Sequence, residues 1–394
     1  MHAVSFKTLR KRKDWEPPRM RAVATPLPLM LICEFLSGST TIDHLPGLLR
    51  DRSDAFRDIS VVAGFDAFVD ELITVVEERQ SVKEFRRLET IHSFGEAIKA
   101  SAGRSSLREI VVKDTEPGGC AVNLGDALIG LGCNVDYTGT VGQPAHPAFK
   151  GFLSKCRTWK AVGGAPGRTL AFEFADGKCM MSAISQLAEL TPEVLEASLE
   201  DGSFLAQCQR APVLAFTNWS LYPYMTDCWG VLQSRILKHL SHRPHLFIDL
   251  VDPRGRPRSD ISRMLERLVA FEEFTKVCLG GNLNEANVIA GLLGLEEIEE
   301  EEPEAVALQA SQIRKVLGIS EVVTHCVHSS ACATVEGGSE HAPTPFCASP
   351  KKSTGAGDRF NAGYCAGTAL GLRGVDRLLV GNCCSGFFVR NARS

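Results

Sequence analysis

The sequence predicts an α/β fold: a mostly parallel central sheet, helices on both of its faces, and a small strand-rich excursion. Three observations carry that reading. From Asp58 onward, short β-branched runs alternate with segments whose apolar residues recur every three or four positions. Composition fits a loop-rich α/β enzyme better than a β-sandwich, with only 7% aromatic residues against 35 glycines. The length of 394 residues allows one large α/β domain with an appendage or two modest domains. The unbroken alternation, with no internal repeat, selects the first.

Taken in order, residues 1–57 read as an N-terminal extension, poorly ordered or an over-long start, and residues 58–394 as the folded domain. A basic stretch from Lys7 to Arg21 precedes an apolar run from Leu27 to Leu36, which outlines a signal peptide. Pro26, Pro28 and Glu34 interrupt that pattern, and the run is too short to span a bilayer. Ile59–Ala63 is a β-branched strand that stops at Gly64. Residues 82–104 carry Phe85, Leu88, Ile91, Phe94 and Ile98 at helical spacing. Val111-Val112 lies in a strand, a helix follows from Cys120 to Leu131, and Val135–Gly139 returns as a strand. Leu170–Phe174 and Cys179–Ser182 form a hairpin about Asp176-Gly177, and Thr191-Pro192 opens a helix with an N-cap and a proline at N1. Strands at Val213–Phe216, Leu246–Asp249, Val277–Leu279 and Val322–Val327 then alternate with helices around 228–240, 259–271, 284–293 and 304–317. In such a sheet, ligands collect beyond the carboxyl ends of the strands. The seven glutamates between Glu296 and Glu304 read as a solvated loop or helix face.

A formal net charge of −4 gives no global field for nucleic acid or an anionic membrane, so neither is expected as a partner. The 14 cysteines are scattered and include no Cys-x-x-Cys, the pattern of reduced, mostly buried thiols in a cytoplasmic protein. His325-x-x-His328, with Cys326 and Cys332 nearby, is the one cluster that hints at a metal. Its strand-like setting splits the ligands between faces, which weighs against that reading.

The stretch Ser353 to Gly363 is the most informative. Gly355 and Gly357 admit backbone angles closed to other residues and expose amides at the positive end of a helix, a ready anion site. Asp358 stands at that helix start, as a proton acceptor for a substrate hydroxyl or as a plain N-cap. A second glycine pair, Gly118-Gly119, joins a strand to a helix and is followed by Asn123, a donor and acceptor for a hydroxyl. Gly130-x-Gly132 ends a helix instead of opening one, so a dinucleotide fingerprint fails on context, and no P-loop motif occurs.

Together these segments resemble the ribokinase-like, PfkB-type family of sugar and nucleoside kinases. Gly118-Gly119-x-x-x-Asn123 resembles the first signature of that family and Thr354-Gly-Ala-Gly-Asp358 the second, while Asn282-x-x-Glu285 is similar to its Asn-x-x-Glu motif. The resemblance runs from Ile59 to Val389. It implies a ribokinase-like three-layer αβα core with a mostly parallel central sheet and a small β-rich lid, sought at 70–118 and 165–183. It implies transfer of the γ-phosphoryl group of ATP to a hydroxymethyl group, with Asp358 as base and Gly355, Ala356 and Gly357 as anion hole. Asn282 and Glu285 would orient Mg²⁺ through waters, although their spacing is also that of a capping box. Thr324 and Thr354 fall beside the nucleotide. Asp66 and Asp70 are alternative ligands for the acceptor, and Arg168 reaches it from the lid. Partners are then a sugar or nucleoside and a second copy of the chain through the lid.

Two departures stand out. Lys352 occupies the place where the family has an aspartate for a monovalent cation; its ammonium replaces the cation, or the site is absent. Cys326 and Ser329 replace two glycines beside the nucleotide, which bears on the donor. The leading expectation is an ATP- and Mg²⁺-dependent sugar kinase. The alternatives are a nucleoside kinase and a non-catalytic member that keeps the pocket.

Overall fold

The computed structural model describes residues 45–391. The basic and apolar stretches near the N-terminus lie outside the described residues. In chain order the strands are β1 (Ser60–Phe65), β2 (Phe68–Arg79), β3 (Phe85–Arg87), β4 (Ile110–Gly118), β5 (Asn134–Gly139), β6 (Thr158–Ala161) and β7 (Gly167–Phe174). They continue as β8 (Gly177–Ala183), β9 (Val213–Thr217), β10 (His245–Asp249), β11 (Lys276–Asn282), β12 (Glu321–His325), β13 (Ser329–Thr334) and β14 (Gly338–Pro343).

Nine of them form one sheet in the order β14-β13-β12-β11-β10-β9-β1-β5-β6. From β12 to β6 all pairings are parallel, and β13 and β14 close one edge antiparallel. The inner strands are apolar throughout because both faces are covered; β1 and β9 are buried at every position. On one face, helices Cys120–Gly130, Ala356–Ala369 and Gly374–Asn391 pack with Val61, Val135 and Phe360. On the other, Met225–Arg235, Arg258–Ala270, Leu283–Leu292 and Pro303–Leu317 enclose Leu214, Ile248 and Trp229. This is the expected three-layer αβα arrangement.

The lid is a second sheet, ordered β3-β2-β7-β8 with β4 on the other side of β2. Its strands lie within residues 68–118 and 167–183. The expected helix over 82–104 is shorter: Phe85–Arg87 pairs with β2, and only Ile91–Lys99 is helical. A Thr90–Ser93 capping box starts that helix, so one run of apolar spacing serves two elements. Phe94 then stacks on Phe172 and Phe174 to form the small lid core. The strand expected to reach Val327 stops at His325, because Cys326 N donates to Ser329 O and turns the chain back into β13. Upstream, Leu45–Asp51 is a helix, and Leu49 and Phe56 are buried in the main core, so packing begins before Asp58.

Candidate active site

β1 runs directly into β2, carrying the chain from the central sheet into the lid, and β4 returns it at Gly118-Gly119. The crossing is tight. A Cβ on Gly119, where φ is +100°, would lie 2.9 Å from an Asp66 oxygen, and one on Gly118 would overlap the Asp70 carboxylate. Glycine is therefore required where the two acids approach the backbone.

The two acids differ in what they already hold. Asp66 is fully buried and accepts four bonds: Cys120 N at 2.6 Å, Ala121 N and Thr217 Oγ1 at 2.8 Å, and Asn218 Nδ2 at 3.1 Å. It caps the Cys120–Gly130 helix and ties it to the end of β9. Asp70 is half-buried on β2, directly across from Glu116 of β4 and Thr169 of β7. Burial raises its pKa, while the Thr169 hydrogen bond and the Lys352 charge pull it down. Lys352 reaches over from the anion loop to Glu116, Nζ to Oε2 2.5 Å, and so bridges loop and lid.

The two glycine loops meet at one point. Asn123 Nδ2 donates to Asp358 Oδ2 at 2.9 Å across 235 positions of sequence. Asp358 is not the N-cap of its helix, as the plain reading of the loop had it. Gly355, at φ +88°, occupies that place, and Asp358 is the third helical residue. Ala356 N is bonded to Ser353 O and Arg359 N to Gly355 O, whereas the Gly357 and Asp358 amides have no backbone acceptor among the described residues. Burial, and then the Asp249 charge, push Asp358 up to about 7 against the opposing pull of Arg359 and Asn123.

Asp249 went unnoticed in the sequence. It ends β10, accepts from Asn361 Nδ2 at 2.6 Å and Val251 N at 2.9 Å, and is raised to about 6 by burial. The signal was present: an acid at the carboxyl end of an inner parallel strand. Asn282 and Glu285 do form the capping box, Asn282 N to Glu285 Oε2 2.9 Å and Glu285 N to Asn282 Oδ1 3.1 Å. Burial followed by the Asp249 charge lifts Glu285 to about 8. Three carboxyl groups thus crowd the same end of the sheet.

Beside them opens a cavity of about 560 Å³, lined by Asn282, His325, Cys326, Ser353, Ala356 and Gly357 among others. Thr324 is buried beneath it and Thr354 is exposed. Arg168 is not brought to the cleft: exposed, it pairs with Glu71 at 2.7 Å, on the lid face opposite Asp70. His325 and His328 engage different rings, Phe360 and Phe346, and among the described residues no group of three metal-binding side chains occurs. Glu301 of the acidic run accepts from Val327 N and His328 N, so that segment braces the turn at the cavity rim.

A parallel sheet whose carboxyl ends open under a β-lid, with these two loops facing each other, is the architecture of the ribokinase-like carbohydrate kinases. Ribokinase from Thermotoga maritima superposes with a TM-score of 0.55 at 14% identity, over 84% of this chain and 93% of that one. A phosphofructokinase-2 variant from Escherichia coli gives 0.54 at 15% identity, over 85% and 94%. The chain belongs to the prokaryotic ketohexokinase family, whose family model matches residues 38–394. A ketohexokinase from Haloferax volcanii is 28% identical over 345 residues, 87% of this chain and 89% of that protein.

Proposed function

We propose that this protein transfers the γ-phosphoryl group of ATP to a hydroxymethyl group of a sugar, with a ketohexose as acceptor. The observation that carries this is the Asn123–Asp358 contact, which places one buried carboxylate where the acceptor loop and the anion loop converge. The family and the Haloferax relative support the ketohexose.

In this reading Asp70 receives the sugar hydroxyls from the lid side, because its carboxylate is not spent on the fold as that of Asp66 is. Asn123 orients Asp358. As the bond from the acceptor oxygen to phosphorus forms and the β–γ bridging bond breaks, the hydroxyl proton passes to Asp358. The Gly357 and Asp358 amides and the positive end of the helix hold the charge on the transferring group. Burial raises all three acids, Asp249 adds to the rise of Glu285 and Asp358, and Asp358 adds to that of Glu285; the hard oxygens gathered there fit Mg²⁺. Asn282 and Glu285 would hold the ion, which when bound neutralises phosphate charge. Lys352, fixed on Glu116, supplies the positive charge a monovalent cation gives elsewhere in the family.

The test is turnover of the purified protein with Mg²⁺ and ATP against ketohexoses, aldohexoses and nucleosides. Phosphorylation of a ketohexose at its hydroxymethyl carbon is expected. Turnover confined to nucleosides would move the protein to nucleoside kinases, and binding without turnover would leave a sugar-binding member.

A further inference from the structure

His325 ends β12, where its backbone lies between Asn282 of β11 and Ser330 of β13. Its ring stands 5.1 Å from that of Phe360. It also packs against Gly357, one turn earlier on the same helix: a Cβ there would come within 2.9 Å of the imidazole Cε1 and 3.1 Å of Nε2. The imidazole, and not a turn angle, is what makes glycine necessary at position 357. His325 and Gly357 line the same cavity. Neither ring nitrogen is hydrogen-bonded to a described residue.

In either protonation state the imidazole carries at least one N–H to donate. Three donors therefore lie together around Gly357: the Gly357 amide, the Asp358 amide and an imidazole N–H. Such a set fits a ligand that offers several acceptor oxygens at one point.

We infer that His325 is a phosphate-contacting residue, its ring N–H donating to an oxygen of the donor phosphate chain seated at the anion loop. This rests on the kinase reading above, and it assigns to this chain a contact that the glycine loops alone do not provide. A core role predicts something else: the ring would matter only through its packing on Phe360, and any aromatic of similar size would serve.

The experiment compares the full-length protein with His325→Phe, which keeps a ring and removes both nitrogens, and His325→Gln, which restores a donor. Binding of ADP and of adenosine is measured by calorimetry, with steady-state KM values for ATP and sugar. His325→Phe is expected to weaken ADP binding and raise the ATP KM by about 10- to 100-fold, the loss of one hydrogen bond to a charged group. Adenosine binding and the sugar KM should stay near the parent values, and His325→Gln should recover most of the loss. Undiminished ADP binding by His325→Phe would overturn the inference, as would an equal loss for adenosine. If His325→Phe does not fold, the parent protein carries the test: its imidazole ¹⁵N resonance should shift with ADP and not with adenosine, and no shift with ADP overturns the assignment. Absence of sugar phosphorylation by the parent would remove the kinase reading while leaving the ADP comparison valid.

Discussion

Buried acids occur at both ends of the central sheet, and the two ends treat them differently. At the amino end of β12, Glu321 is almost wholly buried and receives Arg377 Nη1 on both oxygens at 3.2 Å, with the Tyr364 hydroxyl as a further donor. At the carboxyl end, Asp249, Glu285 and Asp358 are held by backbone amides and by the side-chain amides of Asn361 and Asn123. Burial raises all four acids; Arg377 opposes the rise for Glu321 and Arg359 that for Asp358, but in the cleft Asp249 adds to both Glu285 and Asp358. The first arrangement holds the fold together. The second costs stability, and a cluster of raised carboxyl groups at the strand ends is the mark of a site.

The comparison can be broken in order of expected effect. Asp358→Asn keeps the shape and an acceptor for Asn123 while removing the proton acceptor. Turnover should fall by about 10²–10⁴, the range of general acid–base catalysis, with the melting temperature and sugar binding retained. A rate within a few-fold of the parent would take Asp358 out of the mechanism. Arg377→Met should do the reverse, destabilising by about 3–5 kcal/mol in denaturant titrations because Glu321 is left buried and unpaired, with kcat of the folded fraction unchanged. Asp249→Asn sharpens the contrast. It removes a charge that the fold does not pair, so stability at pH 8 should hold or rise, while the Mg²⁺ concentration for half-maximal rate rises about 10- to 100-fold, as for residues that support a metal site.

The pH dependence follows from the same asymmetry. Folded-state values of about 7 for Asp358 and about 8 for Glu285 lie above the unfolded carboxyl range, so the folded state keeps protons the unfolded state releases. Their contribution to stability is greatest in acid and is lost as pH rises through the folded values. His245 and His325, both near 4 when folded, act oppositely, costing stability as pH falls from their unfolded value. Between about pH 7.5 and 8.5 the histidines are nearly all neutral in both states, and the buried thiols, pushed up by burial, add a loss of the same sign as the acids because they ionise only in the unfolded chain. There the metal-free Tm should fall by a few degrees, at roughly 2–4 °C per kcal/mol, and Glu285→Gln should flatten the slope. The smallest expected effect is that of K⁺. With Lys352 bound to Glu116, added K⁺ should leave turnover unchanged, and strong activation by it would show that the ammonium does not serve in its place.

The alternation of β-branched runs and amphipathic helices was enough to predict the layered fold, because buried parallel strands and one-sided helices each impose their own period. The glycine loops were equally legible, since Gly119 and Gly355 need backbone angles that few residues allow. Local pattern could not divide 82–104 between a strand and a helix, nor tell Asp66 from Asp70. Both acids follow one strand within a few residues. Only the packed structure shows that four donors saturate Asp66, while Asp70 turns toward Glu116 and Thr169 in the lid. Asp249 stayed hidden for the same reason: its significance lies in Asp358 and Glu285, more than thirty residues away in sequence. Burial and charge act through space, so the chemistry of the cleft was decided where strands distant in the chain end side by side.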